Sequence, residues 1–185
     1  SKAERIIEEV RRLSEDNKRR IKKLLDEAKE LLDRHHKRNK ELLEEIERLL
    51  REVKERLKKD RGRDRIRRLV EEAKKRLDEV LEDSKRSARE LKKTLDELLK
   101  RLEKSSEDVE RRLRKLEDDV RREVRDKDRL EELRRDLERL RKENKDVLDR
   151  VREDIKRLKE ELDDSNRRLK DTIEDLKREL DEEAR

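Results

Sequence analysis

The sequence predicts an all-α protein: a single-chain, up-down-up three-helix bundle, coiled-coil-like, with nearly straight helices of about 60 residues. Three observations carry that expectation. Apolar residues recur at helical spacing in three long seams, no charged residue enters those seams, and the two breaks between them are short and hold turn chemistry. The background is a chain of 185 residues that uses thirteen amino-acid types, with 64% charged and 28% apolar residues and no Cys, Met, Phe, Trp, Tyr, Pro or Gln. Such a composition fits either a disordered chain or long solvated helices, and periodicity distinguishes them.

The first helix is expected over about residues 2–60. Its inward positions run Ala3, Ile7, Val10, Ser14, Asn17, Ile21, Leu24, Ala28, Leu31, His35, Asn39, Leu42, Ile46, Leu50, Val53 and Leu57. These fifteen steps span 54 residues, a mean period of 3.6. That is the pitch of an undistorted α-helix, where a strict 3.5 repeat would impose a left-handed supercoil. Ser1 with Glu4 forms a capping-box pattern at its start.

The second helix, about 64–125, carries Ile66, Val70, Ala73, Leu77, Val80, Ser84, Ser87, Leu91, Leu95, Leu98, Leu102, Ser106, Val109, Leu113, Leu116, Val120 and Val124. The third, about 128–184, carries Leu130, Leu133, Leu137, Leu140, Asn144, Val147, Val151, Ile155, Leu158, Leu162, Asn166, Leu169, Ile173, Leu176 and Leu180. Gly62, the only glycine, is expected as a left-handed residue closing the first helix, with Asp64 capping the second. Asp128 with Glu131 repeats the capping-box pattern at the third. Short loops make sequential helices antiparallel, so residues 1–185 form one elongated bundle, roughly 85–90 Å long at ~1.5 Å per residue.

Flanking residues such as Ile6, Leu13, Leu25, Leu32, Leu43, Leu69, Leu81, Leu99 and Leu148 widen each stripe, as a helix touching two neighbours requires. The outer faces offer Glu-to-Arg pairs four residues apart: Glu8–Arg12, Glu44–Arg48, Glu131–Arg135 and Glu153–Arg157. Each contributes a few tenths of a kcal/mol at most, roughly 0.2–0.5.

The polar residues inside the seams align. Pairing Leu57 with Ile66 and Val124 with Leu130 across the loops places residue 17 opposite 106 and then 148, and residue 35 opposite 88 and then 166. Two layers result: Ser14, Asn17, Ser105, Ser106 and Asn144; and His35, Asn39, Ser84, Ser87, Ser165 and Asn166. Buried amides and hydroxyls are costly unless hydrogen-bonded, so cross-helix bonding is the economical reading, and it penalises registers that would set these groups against leucine.

The restricted alphabet, regular periodicity, minimal capped loops and matched Ser/Asn/His layers together resemble de novo designed helical bundles with buried hydrogen-bond networks, over the whole chain. The resemblance implies a hyperstable structural scaffold, or a component of a designed assembly, with no natural substrate. One departure is the Arg61-Gly62-Arg63-Asp64 loop with Arg65, Arg67 and Arg68 beyond it, which sets positive charge at a helix start against the dipole.

The residues give little sign of chemistry. His35 and His36 are the only imidazoles, point about 100° apart and have no second His or Cys on another helix, so no metal site is expected. His36 is expected to lean into solvent. No Gly-rich elbow or phosphate loop accompanies the serines and carboxylates, so neither an enzyme nor a cofactor is expected. The net charge of +6 is finely interspersed and lacks aromatic stacking platforms, so no nucleic-acid partner is expected. Apolar runs stop at pairs, too short for a bilayer span or a targeting signal, so the chain reads as soluble and suited to recombinant expression. A monomer needing no partner is the leading expectation. The alternative is an interaction module that accepts a further designed helix or a second copy.

Overall fold

The computed structural model describes residues 2–59 and 62–184, with nothing said of the Ala3 side chain. The expected Ser1 cap, Ala3 at the head of the first seam and Arg61 in the basic loop lie outside the described residues. The fold is an all-α three-helix bundle of α1 (Lys2–Lys59), α2 (Arg63–Glu123) and α3 (Lys127–Glu183). Leu, Arg, Lys and Glu are strong helix formers, and no proline or interior glycine interrupts the backbone bonds.

The helix starts differ from expectation in an instructive way. Gly62 is not left-handed: no described residue has positive φ. Its carbonyl instead accepts the Ile66 N–H at 3.1 Å, so Gly62 occupies the N-cap of α2 and Asp64 falls inside the first turn. At α3 the Asp126 carbonyl accepts from Leu130 N–H at 2.9 Å, and its Oδ1 accepts from Asp128 N–H at 3.2 Å. Asp126, not Asp128, is therefore the cap, and the Asp128/Glu131 box does not close the helix start. The physical reason is that an aspartate two residues earlier already satisfies an orphan N–H, which lets the helix take in Lys127.

The chain divides into two compact units: Ser1–Lys29 with Thr94–Arg157, and Glu30–Lys93 with Leu158–Arg185. The first has a core of Val10, Val109, Leu113, Leu116, Val120, Leu133 and Leu137. The second has Ile46, Leu50, Val53, Val70, Ala73, Leu77, Val80, Leu169, Ile173 and Leu180. Every large apolar side chain among the described residues is at least partly covered.

Within each unit the partner numbers give the topology. Between α1 and α2, the pairs Asn17/Ser105, His35/Ser87 and Asn39/Ser84 add to 122 or 123, which is antiparallel packing close to the expected 123. Between α2 and α3, Ser106/Asn144 and Ser84/Asn166 add to 250, against the 254 expected from pairing Val124 with Leu130. That is a shift of about one helical turn, which keeps the apolar faces inward while bringing Asn144 itself, rather than Leu148, opposite Asn17. Along the parallel α1 and α3, partners are separated by 125 at Lys18/Glu143 and Lys54/Glu179 and by 129 at His36/Ser165.

Two seam positions also change. Leu32 is the buried residue (3% exposed) where Leu31 was expected, and Ala88 (3%) where Ser87 was expected. Both choices take a step of four residues in place of three. The second puts alanine at the register position across from His35, beside the Ser87 that the imidazole meets. Ion pairing departs further: none of the four expected Glu–Arg pairs forms, whereas Glu15–Arg19, Glu30–Arg34, Glu110–Arg114 and Glu117–Arg121 do. Exposed pairs contribute only tenths of a kcal/mol, ~0.2–0.5, so sequence spacing alone does not select which of them form.

The caps give a direct check. Asp126→Ala is expected to cost about 1 kcal/mol, because an N-cap oxygen is lost, while Asp128→Ala costs no more than the few tenths of a first-turn carboxylate, ~0.3. Gly62→Asp is expected to stabilise, since an added Cβ meets nothing nearer than Arg65 Cγ at 4.0 Å. Urea midpoints of the three variants measure this; destabilisation by Gly62→Asp would show that the loop needs glycine for its backbone.

Candidate functional site in the two buried polar layers

The regular helices offer few places for chemistry, because backbone donors are consumed by intrahelical bonds. What remains are the polar side chains inside the seams. Those buried are Asn17, Ser106, His35, Asn39 and Ser84, at 2–7% exposure, and no Lys, Arg, Asp or Glu among the described residues is buried.

In the first unit, Asn17 on α1 donates from Nδ2 to Asn144 Oδ1 on α3 at 2.6 Å. Asn144 Nδ2 donates to the Ser106 Oγ at 3.2 Å and to its carbonyl oxygen at 3.4 Å. Ser105 Oγ donates to Asn17 Oδ1 at 3.4 Å and accepts from the Arg20 guanidinium at 3.3 Å, so it forms the solvent-side end of the chain of bonds. Ser14 is half-buried beside Asn17 and Asn144 but takes no part in these bonds. The group joins all three helices.

In the second unit, Asn39 Nδ2 meets His35 Nε2 at 3.3 Å, and His35 Nδ1 meets Ser87 Oγ at 3.1 Å. Ser84 Oγ lies 3.2 Å from Asn39 Oδ1 and 3.2 Å from Asn166 Oδ1 on α3. Ser165 is placed elsewhere than in this group: its hydroxyl meets His36 Nδ1 at 3.2 Å. His36 is correspondingly half-buried rather than turned to solvent. Among the described residues, no fully buried side-chain nitrogen or oxygen lacks a hydrogen-bond partner.

Hydrogen-bond direction determines what His35 can do. A carboxamide nitrogen only donates, so His35 Nε2 accepts from Asn39 and the ring proton resides on Nδ1, which donates to Ser87. The Ser87 oxygen therefore accepts a hydrogen bond from the imidazole and is not activated by it. A serine nucleophile needs the opposite tautomer and an oxyanion site, which mid-helix backbone does not supply. Among the described residues no group of three or more His, Cys, Asp or Glu is placed to hold a metal ion, and no helix is long and apolar enough to cross a membrane.

His35 titrates below its ordinary value of 6.5. Burial is the main cause, the neighbouring His36 and Arg38 add to it, and the Asn166 carboxamide opposes it. The ion pairs between helices escaped the sequence reading, and one of them reaches furthest inward. Half-buried Arg141 on α3 donates from Nε to Glu110 at 2.9 Å and from Nη1 to Glu117 at 3.1 Å, both on α2. Its cue was register alone, since 110 and 141 add to 251 as the layer pairs nearly do.

No protein-family model matches the chain, and no curated protein does. Among solved structures it is similar to a chain described as a computationally designed three helix bundle, at 21% identity, covering 99% of this chain and 84% of that one with a TM-score of 0.45.

Two outcomes test the layers. Asn144→Ala leaves the Asn17 amide and the Ser106 hydroxyl without their partner and is expected to cost about 1–3 kcal/mol, whereas Asn17→Leu with Asn144→Leu is expected to cost less than the single change. Denaturant titrations compare them, and a cheaper single change would mean the bonds contribute nothing. For pH, the sign follows from the lowered folded value: as pH falls through 6.5 the unfolded chain binds the proton first, so stability declines until the lower folded value is passed. The difference in urea midpoint between the parent and His35→Asn should therefore change between pH 7.5 and pH 5, to the parent's disadvantage at about pH 5.

Proposed function

We propose that the chain is a structural scaffold of designed origin, without natural biochemical activity, in which the buried Ser, Asn and His layers specify how the three helices align. It acts as a monomer and requires no cofactor, nucleic acid or membrane. The observation that carries this reading is that in each unit side-chain hydrogen bonds link α1, α2 and α3 at one height. Sliding α3 along α1 by a heptad would leave carboxamides against leucine, and each unpaired buried group costs about 1–3 kcal/mol. Apolar seams alone tolerate such slides, because one leucine row resembles the next.

A second reading has one observation in its favour. In the second unit a groove of about 520 Å³ between α1 and α2 is lined by Ile46, Leu49, Val53, Leu69, Ala73 and Val80, with charged residues at its rim. A further helix seated there would make the chain an interaction module of a designed assembly.

Replacing the first layer with apolar residues (Asn17→Leu, Ser106→Ala, Asn144→Leu) tests the scaffold role. The parent is expected to give one set of amide resonances and a monomeric mass by light scattering. The variant is expected to keep its stability within about 1–2 kcal/mol but to show doubled or broadened resonances, or higher mass. A variant as uniform and monomeric as the parent would refute the specifying role, and a parent that self-associates would favour the module reading.

A further inference from the structure

The second layer contains an unequal match of donors and acceptors. Ser84 has one hydroxyl proton, yet two carboxamide oxygens, of Asn39 and Asn166, each stand 3.2 Å from it. At the other end of Asn39, Nδ2 donates to the bare Nε2 of His35. If His35 takes up a proton, Nε2–H faces the Asn39 amino group, donor against donor.

Turning the Asn39 carboxamide over about its last side-chain bond resolves both mismatches together. His35 Nε2–H then donates to Asn39 Oδ1, and Asn39 Nδ2 donates to the lone pairs of Ser84 Oγ. The single Ser84 proton is left to Asn166 Oδ1. His35 Nδ1–H still donates to Ser87. The only change in composition is one proton taken from water, and no covalent bond other than N–H forms. We propose that Asn39 is a turnable link, reversing its amide when His35 gains or loses a proton, so that the layer remains hydrogen-bonded in both charge states with Ser84 as the pivot. The inference does not depend on the register role proposed above, since it concerns the direction of bonds within one layer.

The charges around the group favour a neutral ring at rest without forbidding the charged one. On α1, His36 and Arg38 disfavour a second positive charge. On α2, Glu82–Lys85 and Asp83–Arg86 flank Ser84 as exposed ion pairs. From α3, Asp163 pairs with Lys92, while Glu161, Asp164 and Arg168, with Lys40 of α1, line the recess beside His36 and Asn39. No carboxylate among the described residues forms an ion pair with His35, and from α3 the Asn166 carboxamide favours the charged ring, so the proton is accommodated by dipoles.

The experiment is a pH titration of the intact, nitrogen-15-labelled chain by long-range imidazole correlation and Asn side-chain amide spectra. At pH 7.5, His35 is expected to show the Nδ1–H tautomer. On acidification the Asn39 amide resonances are expected to move with the same midpoint as His35 Nε2, while those of Asn17 and Asn144 do not follow it. Ser84→Ala removes the acceptor for the turned amide and should lower the His35 midpoint further, with roughly threefold weaker proton binding or more. Asn39→Asp presents only acceptors and should raise that midpoint and shift the neutral ring to the Nε2–H tautomer. An Nε2–H tautomer in the parent at pH 7.5, or Asn39 resonances indifferent to the His35 midpoint, overturns the proposal. So does a Ser84→Ala variant that titrates like the parent. Should Ser84→Ala not fold, the parent spectra and Asn39→Asp decide the matter.

Discussion

The whole arrangement depends on one constraint: a polar atom enclosed by three helices must find its hydrogen-bond partner among those helices. A leucine row meets another leucine row with nearly equal success at several offsets, because dispersion and hydrophobic burial have no direction. A carboxamide is different, with donors at one end and an acceptor at the other. In the proposed reading, the 2.6 Å bond from Asn17 to Asn144 favours one axial offset of α1 and α3 in its unit, and the bond from Asn144 to Ser106 does the same for α2. Apolar residues on either side, Val10, Ile21, Val109 and Leu102, are buried. The polar bonds can then determine alignment without supplying most of the stability. Burying a single leucine or valine contributes about 1.5–3 kcal/mol, against about 1 kcal/mol for a net neutral hydrogen bond.

The same comparison explains why the layers contain Ser, Asn and His and exclude the charged residues that dominate the chain. An enclosed carboxylate or ammonium needs a partner charge and further donors to offset desolvation, and three close-packed helices leave little room for that. Charges are therefore held at the margins, as in the Arg141 bridge to Glu110 and Glu117, where stems are covered and heads remain partly wet. His35 is the exception that can change state, and its neutral form is favoured by the burial that places it in the layer.

Much of this was legible in the sequence because periodicity and loop length are local properties. Three helices, their antiparallel order and the α1–α2 register follow from spacing, whereas Ser14 and Ser165, expected in the layers, stand outside their hydrogen bonds. What escaped was decided between elements. The one-turn offset of α3 depends on which rows interdigitate, and the counting rule from Val124 and Leu130 has no access to that. Leu31 against Leu32, and Ser87 against Ala88, are choices between steps of three and four that spacing along one helix does not resolve. Caps were misplaced by two residues because Asp126 and Asp128 both carry the right side chain, and only the chain's path selects between them. His36 lay outside the seam, and Ser165 was assigned to the layer only as the neighbour of Asn166. Each is a boundary position brought to its partner by helix rotation.

Bond direction adds a distinction between the two layers that residue type alone does not reveal. In the first, Ser105 ends the network at the Arg20 guanidinium, which has donors and no acceptor, so the Ser105 hydroxyl directs its own proton inward to Asn17. In the second, the network ends at an imidazole, whose neutral ring accepts at one nitrogen and donates at the other, and whose cation donates at both. Asn39 stands between that variable donor and Ser84, a hydroxyl able to donate or accept. A fixed amide in this position would meet one charge state well and the other badly. Because a carboxamide presents nearly the same shape after a half turn while exchanging donor for acceptor, the packing around Asn39 can persist as its bonds reverse. The two layers are thus alike in composition and register, and they differ in whether their hydrogen-bond polarity is determined by the fold alone or by the fold together with a proton.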